Sequence, residues 1–217
     1  MERAKGFEPS TSTLARLRST PELRPHWFLC TNMIYNESII KNILIVYDQL
    51  ELIELLKKKN YGITVHHHDA LFTVQDSKIL RGEIDGVHSK NLFLKNKKNN
   101  FFLLTFEETD KVDLKKISKS LELGNTSFAK EKYLDQFLKI KPGSVSPFAL
   151  LNDEGGHVDF YLEQTLYESK FVNFHPLINT LTITIETKRF VEFMIENDKK
   201  IHIFSSAEGK VLKKYGK

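Results

Sequence analysis

Cysteine is almost missing from this chain: Cys30 is the only one, so no internal disulfide can form. A reducing, cytoplasmic setting is the expectation. No apolar run approaches the ~20 residues needed to cross a bilayer, so a membrane is not an expected partner. There is no glycine-rich phosphate loop, no CxxC pair, no His-Glu-x-x-His and no Gly-x-Ser-x-Gly elbow. Those absences remove the commonest nucleotide, zinc and serine-hydrolase signatures. Repeats and low-complexity tracts are missing too.

Arginine is scarce and unevenly spread. Four of the six, Arg3, Arg16, Arg18 and Arg24, lie in residues 1–32, with three of the six prolines and the only tryptophan. That segment contains no isoleucine, whereas the chain from Met33 onward is rich in Lys, Ile, Asn and Phe. The break in composition suggests an N-terminal extension over 1–32, disordered or a misassigned start, followed by one domain over 33–206. A basic tail, frayed, is expected over 207–217.

What is present suits a globular domain. The 217 residues are 41% hydrophobic, enough for a core, and carry a formal net charge of +4. That charge is compatible with an anionic partner without signalling one. Asp48 with Glu51 fits a capping box, and Leu52, Ile53, Leu55 and Leu56 give the following helix an apolar face. Asn60 and Gly62 stop it. Ile63 to His67 reads as a strand. Of His66, His67 and His68, only the first and third share a strand face, and no third ligand is signalled, so no metal is expected. Thr73 with Asp76 opens a short helix through Ile79.

The central stretch is His88-Ser-Lys-Asn-Leu-Phe-Leu94, a half-buried strand that brings an ammonium and an amide to its mouth. The bland alternative is a strand end with a solvated lysine. A hairpin around Asn96–Asn100 pairs it with an apolar, central strand over Phe101 to Phe106. Asp113 caps a helix with Leu114, Ile117 and Leu121 inward, and a further helix covers Lys130 to Leu138. Lys141 to Phe148 is a stiff Pro/Gly/Ser loop whose N–H groups suit an oxyanion, or a plain connector. A strand Phe148–Leu151, a turn Asn152–Gly156 and a return strand Val158–Leu162 follow. Phe171–Phe174 is a strand ending at His175-Pro176, where the histidine is structural or catalytic. A strand Leu181–Ile185, a helix capped by Thr187 and a last strand Ile201–Phe204 complete the chain. Strands mixed with helices, without strict alternation, give an α+β class with a mixed, largely antiparallel sheet.

Phe72-Thr73-Val74, Gly86 to Leu94, Ser127-Phe128-Ala129, Pro142 to Phe148 and Val172 to Leu177, in this order, resemble the prolyl-tRNA editing family, the YbaK/prolyl-tRNA-synthetase-associated domain. The similarity runs from about Gln49 to Phe204 and is strongest to the free-standing ProX-like deacylases of mischarged alanyl-tRNA(Pro). It implies a curved, barrel-like mixed sheet surrounded by helices, and hydrolysis of the aminoacyl ester on tRNA(Pro) without metal or other cofactor. It implies Lys90 on the phosphate next to the terminal adenosine and Asn91 at the aminoacyl end. It sets the Gly143-Ser144-Val145-Ser146-Pro147 backbone beside the scissile carbonyl and His175 in the His-Pro motif. Phe72 and Thr73 fall in the substrate pocket. The implied partners are aminoacyl-tRNA and prolyl-tRNA synthetase, not DNA. Another small amino acid, cysteine or serine, is the alternative substrate, and a non-catalytic tRNA-binding module is the alternative class.

Overall fold

The computed structural model describes residues 46–70 and 84–216. The expected extension over 1–32, the apolar run that begins at Ser38, the helix opened by Thr73, and Phe72 and Thr73 themselves lie outside the described residues.

Helix α1, Gln49–Lys58, starts as its sequence dictates. Asp48 Oδ1 accepts from the N–H groups of Leu50 (2.7 Å) and Glu51 (2.9 Å), and Glu51 Oε2 accepts from Asp48 N–H (3.0 Å). Such a cap contributes about 1 kcal/mol. Leu52, Ile53 and Leu56 are buried, and Asn60 and Gly62 leave the helix with positive φ. Strand β1 is Thr64–His67.

Strands β2, Val87–Asn96, and β3, Phe101–Glu107, form the expected hairpin in the register Asn91↔Thr105 and Leu94↔Phe102. The buried Asn96 organises its turn: Oδ1 accepts from Lys98 and Asn100 N–H, and Nδ2 donates to Leu123 O. Asp113 caps α2, Leu114–Ser120, and β4, Thr126–Phe128, then pairs with β2. A short α3, Glu131–Tyr133, widens into a π turn, Leu134–Leu138.

Pro147–Asn152 is a 3₁₀ helix, not the expected strand. A run buried on every side has no period to separate helix from strand. The local signals favour helix: Ser146 caps it and Pro147 fills its first position. Strand β5, Val158–Glu163, is likewise no hairpin return. It lies parallel to β3 and, on its other side, parallel to β8, Ile201–Ser205.

After α4, Gln164–Glu168, the hairpin of β6, Phe171–Phe174, and β7, Leu181–Glu186, leads into α5, Thr187–Glu196. Glu186 occupies the cap position, and Thr187 is the buried first residue of the helix. The tail is not frayed: β9, Lys210–Tyr215, pairs antiparallel with β8. Tyr215 packs on the core and its hydroxyl meets that of Tyr167 at 2.6 Å. The lysines of β9 suit a sheet edge, where charge discourages further pairing.

The strands join in the order β1-β7-β6-β2-β3-β5-β8-β9, with β4 also on β2. Pairs β2/β6, β3/β5 and β5/β8 are parallel and the rest antiparallel. Alternation along β3 sends Phe101 and Leu103 into the larger core, with α1, α5 and the 3₁₀ helix. Phe102, Leu104 and Phe106 enter a smaller one under α2. Covered on both faces, β3 reads as an unbroken apolar run. Among the described residues no helix is long and apolar enough to cross a membrane.

Candidate active site

Strand β2 has two different neighbours on one edge. Its start pairs with β6 at Val87 and His88, and its end pairs with β4 from Leu94 to Asn96. Ala129 N–H extends the second contact to Phe93 O, at 2.9 Å. Between them, Ser89 to Leu92 have no strand partner on that side among the described residues. The Gly143–Pro147 loop comes to this interruption.

Asn91 makes the connection. Its Nδ2 donates to Val145 O at 2.9 Å, and its Oδ1 accepts from Thr105 Oγ1, directly across the hairpin, at 2.7 Å. Ser89, on the same face, donates through Oγ to Asn173 O at 2.9 Å. Both ends of the Asn91 amide are therefore fixed by groups on other elements, so its orientation is set before any ligand arrives.

The loop is ordered by its own backbone. Gly143 has φ +85°, and a Cβ there would lie 3.4 Å from Asn179 Nδ2. Ser144 N–H bonds to Lys141 O, and Ser146 Oγ accepts from Phe148 N–H. Ser144, Ser146 and Pro147 are buried. The N–H groups of Val145 and Ser146 meet no acceptor among the described residues. Two successive donors of that kind, beside a fixed amide, are what a developing oxyanion needs.

Lys90 does not share a surface with Asn91. Adjacent strand residues point to opposite faces, so Ser89, Asn91 and Phe93 face the larger core while Lys90, Leu92 and Leu94 face the smaller one. Lys90 Nζ donates to the carbonyl oxygens of Glu108 (3.3 Å) and Asp110. Burial lowers its pKa, opposed by the carboxylates of Asp110, Glu107 and Glu108. The Asp110 carboxyl is itself raised, first by burial and then by Glu107 and Glu163. The expected ammonium and amide thus flank the interrupted edge, one on each side of the sheet.

A polar seam on the Lys90 face has no counterpart in the sequence reading. Asn173, buried in β6, donates through Nδ2 to Asp85 O (2.9 Å) and accepts at Oδ1 from Thr184 Oγ1 (2.6 Å). Thr184 has spent its hydroxyl proton there, so His66 Nε2, 3.0 Å from Thr184 Oγ1, is the donor. His68 bonds through Nδ1 to Asp69 O (2.8 Å) and through Nε2 to Thr182 Oγ1 (2.9 Å). Its ring lies 5.9 Å from that of His175, whose Nδ1 donates to Leu181 O at 2.7 Å. That bond puts a proton on Nδ1 and holds the ring in place. Two residues on, Leu177 has φ +66°, a conformation that costs a non-glycine residue about 1–2 kcal/mol. The asparagine inside the apolar Phe-Val-Asn-Phe run was the available signal for this seam. Among the described residues no three His, Cys, Asp or Glu side chains converge as a metal site would require.

Comparison with known proteins identifies the domain. The sequence model of the aminoacyl-tRNA editing domain matches residues 68–193. Prolyl-tRNA synthetase associated domain-containing protein 1 of Xenopus laevis is 34% identical over 149 residues, covering 66% of this chain and 88% of that protein. Prolyl-tRNA editing protein ProX of Acetoanaerobium sticklandii is 33% identical over 129 residues, covering 59% and 77%. The crystal structure of a proposed trans-editing enzyme for prolyl-tRNA synthetase aligns with a TM-score of 0.53 at 15% identity, over 72% of this chain and 96% of that one, a likeness of fold.

Proposed function

That this chain belongs to the aminoacyl-tRNA editing domain family is the premise from which we propose its reaction: hydrolysis of the ester on mischarged tRNA(Pro), with alanyl-tRNA(Pro) as the substrate. Water attacks the ester carbonyl carbon, the bond to the ribose oxygen breaks, and that oxygen takes a proton to leave free amino acid and intact tRNA. An aminoacyl ester is already activated, so positioning does much of the work.

The observation that carries the reading is the 2.9 Å bond from Asn91 to Val145 O, which holds a loop with two N–H groups unpartnered among the described residues against the interrupted edge of β2. In this reading Val145 and Ser146 N–H stabilise the oxyanion. Lys90, on the other lip of the edge, meets the phosphate next to the terminal adenosine as a point charge. Asn91 holds the aminoacyl end, and His175, of the His-Pro motif, orients the attacking water.

A synthetase site shaped for proline discriminates weakly against the smaller alanine, and a second, smaller sieve removes the error. The names of the relatives support prolyl-tRNA synthetase and its tRNA as the partners, and a reaction that corrects charged tRNA belongs to the cytoplasm, where translation runs. The test is deacylation of Ala-, Cys-, Ser- and Pro-tRNA(Pro) side by side. Rapid loss of alanine with proline retained is expected. Faster release of cysteine or serine would reassign the substrate, and binding without hydrolysis would make the protein a tRNA-binding module.

A further inference from the structure

Phe128 is the only exposed Phe or Tyr among the described residues, with 63% of its surface open. It ends β4 opposite Leu94 and so lies on the same face of the sheet as Lys90, about 13 Å away along β2. Thr126, on that face too, borders an open cavity of about 690 Å³ walled by Lys115 and Lys119. The hairpin tip adds Lys97 and Lys98, and Lys130 follows β4. Over 95–98 and 115–132 there are eight lysines against two glutamates, and of the eight only Lys95 and Lys132 turn to the Tyr133 ring on the opposite face. None of these lysines has an acidic partner among the described residues, whereas Lys59, Arg189 and Lys210 elsewhere do.

The exposed phenyl ring thus stands beside lysines that have no acidic partner among the described residues. Together they offer one surface for a base and several charges for phosphates, the combination that single-stranded nucleic acid uses. We infer that Phe128 is a stacking platform for an unpaired base at the 3′ end of the substrate tRNA, with Lys115 and Lys119 holding phosphates of the same RNA. This rests on the editing reaction proposed above. The 13 Å between Phe128 and Lys90 is a span of a few nucleotides, so a strand crossing the ring can deliver its terminus to the interrupted edge of β2.

The experiment has a binding arm and a turnover arm. Binding is measured for the full chain with two RNA hairpins of one stem sequence, one carrying unpaired 3′ nucleotides and one blunt. The wild type should bind the overhang hairpin roughly tenfold more tightly, and Phe128→Ala should erase that preference. Phe128→Trp should restore it and Phe128→Leu should not, with melting temperatures unchanged in all three. Lys115→Ala with Lys119→Ala should flatten the salt dependence of binding by roughly 0.7 to 0.9 per lysine in the log–log slope. In the turnover arm, Phe128→Ala should raise KM for Ala-tRNA(Pro) about tenfold and leave kcat within about twofold. No preference for the overhang, or a preference that survives Phe128→Ala, overturns the inference. Loss of the preference in a chain that hydrolyses no aminoacyl-tRNA upholds the platform and sinks the proposed reaction.

Discussion

Asn91 and Val145, 54 residues apart in the chain, are joined by a single hydrogen bond of 2.9 Å between a side-chain amide and a backbone carbonyl. The same amide accepts from Thr105 Oγ1, so one residue couples the hairpin to the Gly143–Pro147 loop. Asn91→Ala strands a buried hydroxyl and a carbonyl together, which should cost about 1–3 kcal/mol of stability. Releasing the loop should cost about a hundredfold in turnover as well. Thr105→Val keeps the bond to Val145 and should retain most activity. Thermal melts beside deacylation rates separate the two effects, and full activity of Asn91→Ala would remove the loop from the reaction.

Lys90→Met should cost most of the activity on Ala-tRNA(Pro) without lowering the melting temperature. The apolar stem stays, and the charge that burial disfavours is gone. Losing the charge-assisted contact to phosphate removes about 1.5–3 kcal/mol, so the defect should be larger on aminoacyl-tRNA than on a small aminoacyl ester. The lysine's folded pKa is depressed, so the unfolded chain holds this proton more tightly. Its destabilising effect is fully present at neutral pH and is relieved as pH rises from the folded value toward the ordinary 10.5. Any stability gain of Lys90→Met should shrink over that range. Equal loss on both substrates would point to a chemical role for the amine.

His175→Asn is expected to fold normally and turn over slowly. An asparagine amide can still donate to Leu181 O, as Nδ1 now does at 2.7 Å, while the rest of the imidazole, Nε2 included, is lost. His175→Gln should lose the Leu181 contact and melt earlier. If the asparagine variant deacylates at the wild-type rate, His175 serves the fold alone.

Pro147 sits at the first position of a buried 3₁₀ helix, so Pro147→Ala should act on stability as well as on turnover. The freer unfolded chain alone should cost about 0.4–1 kcal/mol. Differential scanning calorimetry checks this. An unshifted transition with reduced activity would restore the view of Pro147 as a pure loop residue.

Much of the frame is legible before any coordinates. The Asp48/Glu51 box, the Asn96–Asn100 turn and the Asp113 cap are local features, with the deciding residues two to four positions apart. What escapes is set at a distance. Nothing near Val158 states that β5 will lie parallel to β3, and no period in Phe148–Leu151 distinguishes strand from 3₁₀ helix. The site divides along the same line. Asn91 and the loop announce themselves by residue type, but the bond joining them depends on a fold that brings Val145 to β2. The opposite faces of Lys90 and Asn91 were implicit in strand alternation and hidden by reading the two as one motif.

Asn96 gives that alternation a fixed origin. Bound at Oδ1 by its own turn and at Nδ2 by Leu123 O, it cannot shift along β2 without leaving buried polar groups unpaired. Strand position is counted from it as from the zero of a ruler: five residues back is the amide, six is the ammonium. A slip of one residue would exchange their sides and leave every element in place. Deleting a single codon between them and Asn96 is therefore a sharper way to inactivate this protein than replacing either residue.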